Sequence, residues 1–191
     1  RLRAFAGCMA TSNLASTAFF ALYILFGTRE LHLTAAQLGL VYGIGAAGSM
    51  LAAIAAPRLT ARWGIGRVLL LGALLGSAEV LPVVFANPAN AVALLIFSSL
   101  LGNFGWVVYN INAISVRQSV VSPELLGRVN ASMGFLMAGM LPVGALLGGL
   151  LGQALGLRAT ITLAAVGSLL SAGWILFSPV PGILSIEKTG G

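Results

Sequence analysis

The sequence predicts an all-α integral membrane protein with six transmembrane helices, and three observations support this fold class. Of the 191 residues, 59% are hydrophobic and 7% are charged, and the mean hydropathy is +1.02. Soluble domains are nearer 45–50% apolar and about 25% charged. Six apolar segments each approach the roughly 20 residues that a helix needs to cross the hydrocarbon core. The breaks between these segments are short and rich in turn residues, as tight helical hairpins require.

The six predicted spans follow one another in order along the chain. Their approximate bounds are residues 5–27, 34–56, 68–85, 90–115, 127–152 and 157–177. Thr34 and Asn90 precede the second and fourth spans, where their side chains are expected to accept a bond from a free backbone amide. Ser122, Pro123 and Glu124 combine a capping residue, a proline at the first helical position and an acid near the positive end of the dipole. They therefore predict the start of the fifth helix.

The basic residues predict the orientation of the bundle. With six spans, both termini and the second and fourth connections share one side of the membrane, which holds Arg1, Arg3, Arg58, Arg62, Arg67, Arg117, Arg128 and Lys188. The opposite side holds only Arg29 and Arg158. Basic residues accumulate on the cytoplasmic side. We therefore expect both termini of this multi-pass protein to be cytoplasmic, and we attribute the net charge of +6 to topology rather than to nucleic-acid binding.

The chain contains two similar segments that suggest an internal repeat. The segments "ARWGIGRVLL" and "QALGLRATIT" each follow a helix rich in small residues, and Gly64 and Gly156 lie 92 residues apart, close to half the chain. This offset fits two three-helix units of opposite topology, the 3+3 inverted repeat of many transporters. We assign residues 1–181 to the transmembrane bundle and 182–191 to a cytoplasmic tail. Because the chain begins at Arg1 rather than Met, we interpret it as a fragment.

Polar residues inside the spans predict a substrate passage. The fourth span carries a stripe at helical spacing of Ser99, Asn103, Trp106, Asn110 and Arg117, and a neighbouring stripe of Gly102, Gly105, Tyr109 and Asn112. The first span carries a thinner stripe of Asn13, Ser16, Phe20 and Tyr23. Lipid cannot satisfy amide and phenol groups, so these faces should meet protein or a wet cavity. The alternative reading for any one asparagine is an ordinary interhelical hydrogen bond.

Two further spans contain residues that could move or titrate. The fifth contains Pro142, which can kink the helix, and glycines every four residues at Gly144, Gly148 and Gly152. This spacing permits either close static packing or a place to bend. Glu79 is the only acid within a span, and it lies on a face of small residues. We hypothesise that it couples proton movement to transport; the alternative is a structural acid near the outer end.

The sequence excludes most enzyme classes. His32 is the only histidine and lies in an outer connection, and Cys8 is the only cysteine. The four acids are distant from one another in sequence. The chain therefore lacks the set of ligands that a metal centre needs and the paired residues that a catalytic dyad needs. We expect no enzymatic activity, no metal and no cofactor.

Several short sequence motifs resemble those in the carboxy-terminal half of major facilitator superfamily transporters. The resemblance is greatest to the bacterial drug and siderophore exporters of the enterobactin-exporter and macrolide-efflux-like branch. These motifs lie between Tyr109 and Arg158: Arg117-Gln118, Pro123-Glu124, Leu126-Gly127-Arg128-Val129-Asn130 and Leu141-Pro142-x-Gly144-x3-Gly148-Gly149. The segment "LTARWGIGR" is similar to the superfamily's cytoplasmic loop motif G-x-x-x-D-R-x-G-R-R, with Ala61 in place of the acid. The likeness extends from about Phe5 to Pro179.

The resemblance implies a fold and a function. It implies that the six spans are helices seven to twelve, with the first, second, fourth and fifth facing a central cavity. It also implies a missing amino-terminal six-helix half, which we expect as a partner together with the lipid bilayer and a small-molecule substrate. The gating candidates at the cytoplasmic side are Arg62, Gly64, Arg67, Arg117, Glu124 and Arg128. The expected function is export of an amphipathic small molecule by proton-coupled alternating access. The alternative is a non-transporting scaffold that works by pairing with a partner half.

Overall fold

The computed structural model describes residues 16, 17 and 19–177, and this part of the chain consists of helices joined by short turns. Asn13 and the predicted tail lie outside the described residues. The helices are α1 (Phe19–Arg29), α2 (Ala35–Trp63), α3 (Ile65–Ala78), α4 (Val80–Val84), α5 (Ala91–Val120), α6 (Pro123–Leu155) and α7 (Leu157–Phe177).

Four helical segments of the described chain are long and apolar enough to cross a membrane. They are Ala35–Trp63, Ile65–Val84, Ala91–Ser119 and Ala138–Leu155. Helices α1 and α7 contribute the shorter apolar segments Phe19–Arg29 and Leu157–Ser168. The all-α membrane fold predicted from composition is therefore present, while the number of six spans stays a prediction.

The third predicted span is divided into α3 and α4 at Glu79. Pro82 lies inside α4 and has no N–H to donate to the carbonyl of Ala78, and its ring crowds that carbonyl. At the same point the hydroxyl of Ser98, from α5, donates to the backbone carbonyl of Glu79 over 2.5 Å. A proline and a side-chain hydrogen bond from the neighbouring helix therefore account for the interruption.

Two predicted connections are shorter than the sequence suggested. Helix α2 continues beyond residue 56, through Pro57, and ends at Trp63, so only Gly64 separates it from α3. Likewise only Gly156 separates α6 from α7. The φ angles are 80° at Gly64 and 86° at Gly156, in the region that glycine adopts without steric cost. The two halves of the described chain thus reverse direction in the same way.

The predicted helix starts have two outcomes. Thr34 forms a complete capping box: its hydroxyl accepts from the N–H of Gln37 over 3.3 Å, and the Gln37 side chain accepts from the N–H of Thr34 over 2.8 Å. Asn90 occupies the capping position of α5, but its side chain accepts from the backbone N–H of Asn87 over 2.8 Å. It therefore stabilises the preceding turn, contrary to the expected capping bond.

Helix α5 is the central element, packed between α2 and α3. Where α5 meets α3, a Cβ at Gly72 would lie 2.7 Å from the backbone nitrogen of Tyr109, and one at Gly105 would lie 2.8 Å from the carbonyl oxygen of Gly72. The two backbones touch at this seam because neither glycine has a side chain. We call the amino-terminal end of α5 the outer end of the bundle and its carboxy-terminal end the inner end. At the outer end, α1 adds Phe19, Leu22, Tyr23 and Phe26 to an apolar core shared with α2, α4, α5 and α7.

Candidate functional site

The polar stripe of α5 is covered by α2 along its outer half. Ser99 lies against Gly45 of α2, where a Cβ would overlap its hydroxyl. Asn103 accepts a hydrogen bond from the hydroxyl of Ser49 over 3.3 Å and donates to the carbonyl of Ser99 over 2.8 Å. These two polar side chains are satisfied within the helix pair. Their geometry is that of an interhelical hydrogen bond, which the sequence left as the alternative reading.

The contacts of α2 move around α5 towards the inner end of the bundle. Ala52 and Ala56 pack with Val108 in a buried apolar cluster. Below it, the hydroxyl of Thr60 donates to the side-chain oxygen of Asn112 over 2.7 Å, and Asn112 is only 2% exposed. At about 100° per residue, Asn112 and Val108 lie far around α5 from Asn103. Helix α2 therefore crosses α5 at an angle and leaves the polar stripe midway.

The inner half of the polar stripe is open. Trp106 is 57% exposed, and the side chain of Asn110 donates only to the carbonyl of Trp106, in its own helix, over 3.1 Å. A cavity of about 360 Å³ lies beside this half, between α5 and α6, and its lining residues are Asn110, Ile114, Arg117, Gln118, Leu126, Asn130 and Gly134. Arg117 donates across the cavity to the side-chain oxygen of Asn130 over 2.8 Å. We refer to this as the α5–α6 cavity.

Three members of the neighbouring stripe, Gly102, Gly105 and Tyr109, lie against α3 or Glu79; the fourth, Asn112, bonds to α2. A Cβ at Gly102 would overlap the carboxylate of Glu79, so this acid points at the backbone of α5. Tyr23 of α1 is close enough to Glu79 to interact with it electrostatically. Tyr109 packs its backbone onto Gly72. The only acid within a predicted span thus lies among three helices, beside the interruption between α3 and α4.

The candidates of the first span differ from one another in exposure. Tyr23 is buried, with ring centroids 5.4 Å from Phe19 and 6.1 Å from Tyr42 of α2. Phe20 is 58% exposed and meets Phe19 edge-on, and Ser16 is half-buried. Phe20 therefore presents an aromatic face outward, whereas Tyr23 packs within the bundle.

The gating candidates occupy helix ends. Arg62 lies in the last turn of α2 and Arg67 in the first turns of α3, both exposed, on either side of Gly64. The gating candidates Arg117, Glu124 and Arg128 form no ion pair with one another in the described part of the chain. Glu124 and Arg128 are exposed, and the bond from Arg117 goes to Asn130 instead.

The predicted glycine series of α6, at Gly144, Gly148 and Gly152, faces the bundle. Gly144 and Gly148 are buried, whereas Pro142 is exposed within a helix that continues past it. A Cβ at Gly152 would lie 3.5 Å from the side chain of Leu22 in α1, so this end of α6 packs beside α1. Small residues at this spacing keep α6 close to its neighbour.

The contacts of Arg158 with other helices were not predicted from the sequence. Its guanidinium pairs with Glu30 over 3.5 Å, donates to the carbonyl of Ala86 over 2.6 Å and lies 5.7 Å from the ring centroid of Phe26. This one side chain joins the start of α7 to the ends of α1 and α4 at the outer side. Glu30 and Arg158 are 128 residues apart, so no local pattern could have paired them.

The described residues include no group of three histidine, cysteine or acidic side chains placed to hold a metal ion. The polar groups of the site are instead amides, hydroxyls, aromatic rings and one arginine. Such groups bind organic ligands by hydrogen bonding and stacking.

Comparison with known proteins gives one match. The family model of the Major Facilitator Superfamily matches residues 4–191. No protein of curated function and no solved structure matches the chain. The matched segment covers nearly the whole sequence and agrees with the apolar helices of the fold. The chain therefore belongs to the Major Facilitator Superfamily, a family of membrane transporters rather than of enzymes.

Proposed function

We propose that this chain forms the carboxy-terminal six-helix half of an exporter that moves an amphipathic small molecule, such as a drug or a siderophore, out of the bacterial cell by proton-coupled alternating access. Its location would be the inner membrane, with both termini in the cytoplasm. A small molecule, the lipid bilayer and an amino-terminal six-helix half would be its partners. The two single-glycine reversals at Gly64 and Gly156 support the 3+3 inverted repeat that such a half requires.

The observation that carries this proposal is the open inner half of the α5 stripe. Trp106, Asn110 and Arg117 lie on one face of a helix that crosses the membrane, and α2 does not cover them. An amide and a guanidinium facing hydrocarbon are costly, so this face needs protein or water beside it. The amide and the cation border the α5–α6 cavity, and the aromatic ring is exposed on the same face of α5. Such a surface suits a ligand that has both apolar and polar parts.

Glu79 is the proposed proton-coupling residue. Its carboxylate lies against Gly102 of α5, so a change in its charge would act directly on the central helix. Tyr23, an aromatic hydroxyl that carries no fixed charge, is close enough to Glu79 to interact with it electrostatically. Glu79 forms no ion pair among the described residues, so no basic side chain there would compete with a proton for the carboxylate.

Transport by reconstituted protein tests the proposal. The protein is purified from its own membrane and placed in vesicles with its cytoplasmic side outward. Uptake of two fluorescent amphiphiles is followed, the cation ethidium and the anion 8-anilino-1-naphthalenesulfonate. An acidic lumen should drive accumulation, and an uncoupler should abolish it. Glu79→Gln should remove the dependence on the pH gradient, whereas Glu124→Gln, at an exposed acid, should retain it. Gradient-driven uptake by Glu79→Gln would eliminate Glu79 as the coupling residue.

The scaffold alternative predicts a different result. Since a lone half would leave the open stripe of α5 facing lipid, it would need a partner half to cover that stripe. Cross-linking from a cysteine introduced at Ile114, on the open face, identifies what lies there. A second membrane chain at this position, together with no uptake of any amphiphile, would favour the scaffold over the exporter.

A further inference from the structure

We propose that the α5–α6 cavity binds an amphipathic anion. The guanidinium of Arg117 would bind its carboxylate or phosphate group, and the apolar side chains of Ile114 and Leu126 would contact its apolar body. The inference deepens the proposed export function by naming a substrate class; binding itself does not depend on that function, whereas transport of the bound anion does. The cavity lies at the carboxy-terminal end of α5, because Arg117 occupies the last turn of that helix. In the proposed orientation this end is cytoplasmic. The cavity is therefore placed where a molecule would enter from the cell interior.

Arg117 has unused hydrogen-bonding capacity. A guanidinium carries five N–H donors, and the described structure gives Arg117 one bond, from Nη1 to Asn130. Among the described residues the one ion pair is Arg158 with Glu30, so none of the described acids neutralises Arg117. The planar fork of an arginine binds carboxylate and phosphate oxygens in pairs. The cavity thus contains a half-buried positive charge whose natural complement is an external anion.

The remaining walls suit the rest of such a ligand. Three amide side chains surround the cation, those of Asn110, Gln118 and Asn130, and the apolar side comes from Ile114 and Leu126. The volume of about 360 Å³ lies within the range of about 300–1,000 Å³ typical of small-molecule sites.

Gly134 keeps the α6 wall of the cavity open. A Cβ built on this glycine meets no atom within 4 Å, so the space beside it is free to hold an apolar group. Gly127, one of the other glycines of α6, is equally unobstructed but does not line the cavity. The two glycines therefore provide a matched pair for filling the cavity or leaving it empty.

Two sources of the anion share this chemistry: a transported solute and the headgroup of an anionic phospholipid in the inner leaflet. Each would present a negatively charged oxygen group to Arg117 and an apolar body to Ile114 and Leu126. Separate binding measurements with a soluble anion and with a lipid distinguish the two sources.

The first arm measures binding of a soluble anion. The protein is held in nanodiscs of phosphatidylcholine and titrated calorimetrically with 1-naphthyl phosphate, with 1-naphthyl glucoside as a neutral probe of the same apolar body. Arg117→Gln should weaken phosphate binding about tenfold or more and change glucoside binding little, because a charge-assisted bond is lost while a bond to Asn130 remains possible. Arg128→Gln removes an exposed arginine outside the cavity and should leave both affinities unchanged.

A second variant tests the shape of the site without changing its charge. Gly134→Leu should fill the cavity and abolish binding of both probes, and Gly127→Leu should have no effect. Binding that survives Gly134→Leu would place the ligand elsewhere and overturn the proposal. The Gly127→Leu protein also shows whether α6 tolerates a leucine of this size at an open position.

The second arm counts retained lipid by native mass spectrometry after reconstitution with phosphatidylglycerol. A phospholipid lost in Arg117→Gln but kept in Arg128→Gln would identify the ligand as a lipid headgroup. Arg117-dependent binding of naphthyl phosphate without such a lipid would identify a solute. If neither anion depends on Arg117, the site does not exist. Arg117-dependent binding of naphthyl phosphate without its transport would contradict the exporter and leave the binding site intact.

Discussion

The two halves of the polar stripe on α5 have the same kind of sequence and different surroundings. In the outer half, Ser99 and Asn103 lie under α2 and complete their hydrogen bonds inside the bundle. In the inner half, Asn110 and Arg117 border a cavity, Trp106 is exposed, and α2 has crossed to another side of the helix. The comparison teaches that polarity at helical spacing marks a face that must avoid lipid, but packing decides whether that face is sealed or open.

The largest effect should come from forcing α2 away from the covered half. A side chain at Gly45 would meet Ser99, with its Cβ 2.9 Å from the Cβ of Ser99, so Gly45→Leu overpacks the interface. We expect a loss of about 1–3 kcal/mol or more in the free energy of unfolding. Thermal unfolding in detergent measures it. Gly43→Leu is the matched control, because a Cβ there meets nothing within 4 Å; equal Tm values for the two variants would contradict the close contact between α2 and α5.

A smaller effect should separate two asparagines of the same stripe. Asn103→Ala removes the acceptor of the bond from Ser49, and interhelical bonds of this kind contribute about 0.6 kcal/mol on average. Asn110→Ala removes a side chain that bonds only to its own helix, so the Tm should stay unchanged while amphiphile uptake falls. If Asn110→Ala destabilised the protein as much as Asn103→Ala, the inner half would be sealed rather than open.

The smallest effect on stability is expected at Trp106. Because its side chain is 57% exposed, Trp106→Ala should barely change the Tm. If the ring contacts the substrate, however, the KM for uptake should rise several-fold, since stacking on an aromatic surface supplies binding energy. Phe97 is the control: it is 56% exposed on the same helix, and nine residues place it about half a turn around from Trp106. Equal KM values for the Trp106→Ala and Phe97→Ala proteins would remove Trp106 from the substrate surface.

Composition and hydropathy were sufficient to predict the helical membrane fold. Local signals predicted some helix ends as well: the capping box at Thr34 depends on two residues three positions apart, and it formed as expected. Local signals failed where a competing local bond was available. The side chain of Asn90 does not cap α5, because its oxygen accepts a hydrogen bond from the backbone N–H of Asn87 instead. The predicted loop beyond residue 56 became helix because the chain needs only Gly64 to reverse direction.

The sequence by itself determined that the protein is a helical membrane protein with a polar stripe on its fourth apolar segment, because hydropathy and helical spacing are properties of the chain alone. Only the tertiary structure decided which part of the stripe is covered. The crossing angle of α2 depends on the close approach at Gly45, Gly48 and Ala52, and none of these residues is near α5 in sequence. The same limit applied to Arg158, whose partners Glu30, Phe26 and Ala86 come from distant parts of the chain. Pairings of this kind arise when helices pack, and no period within one helix encodes them.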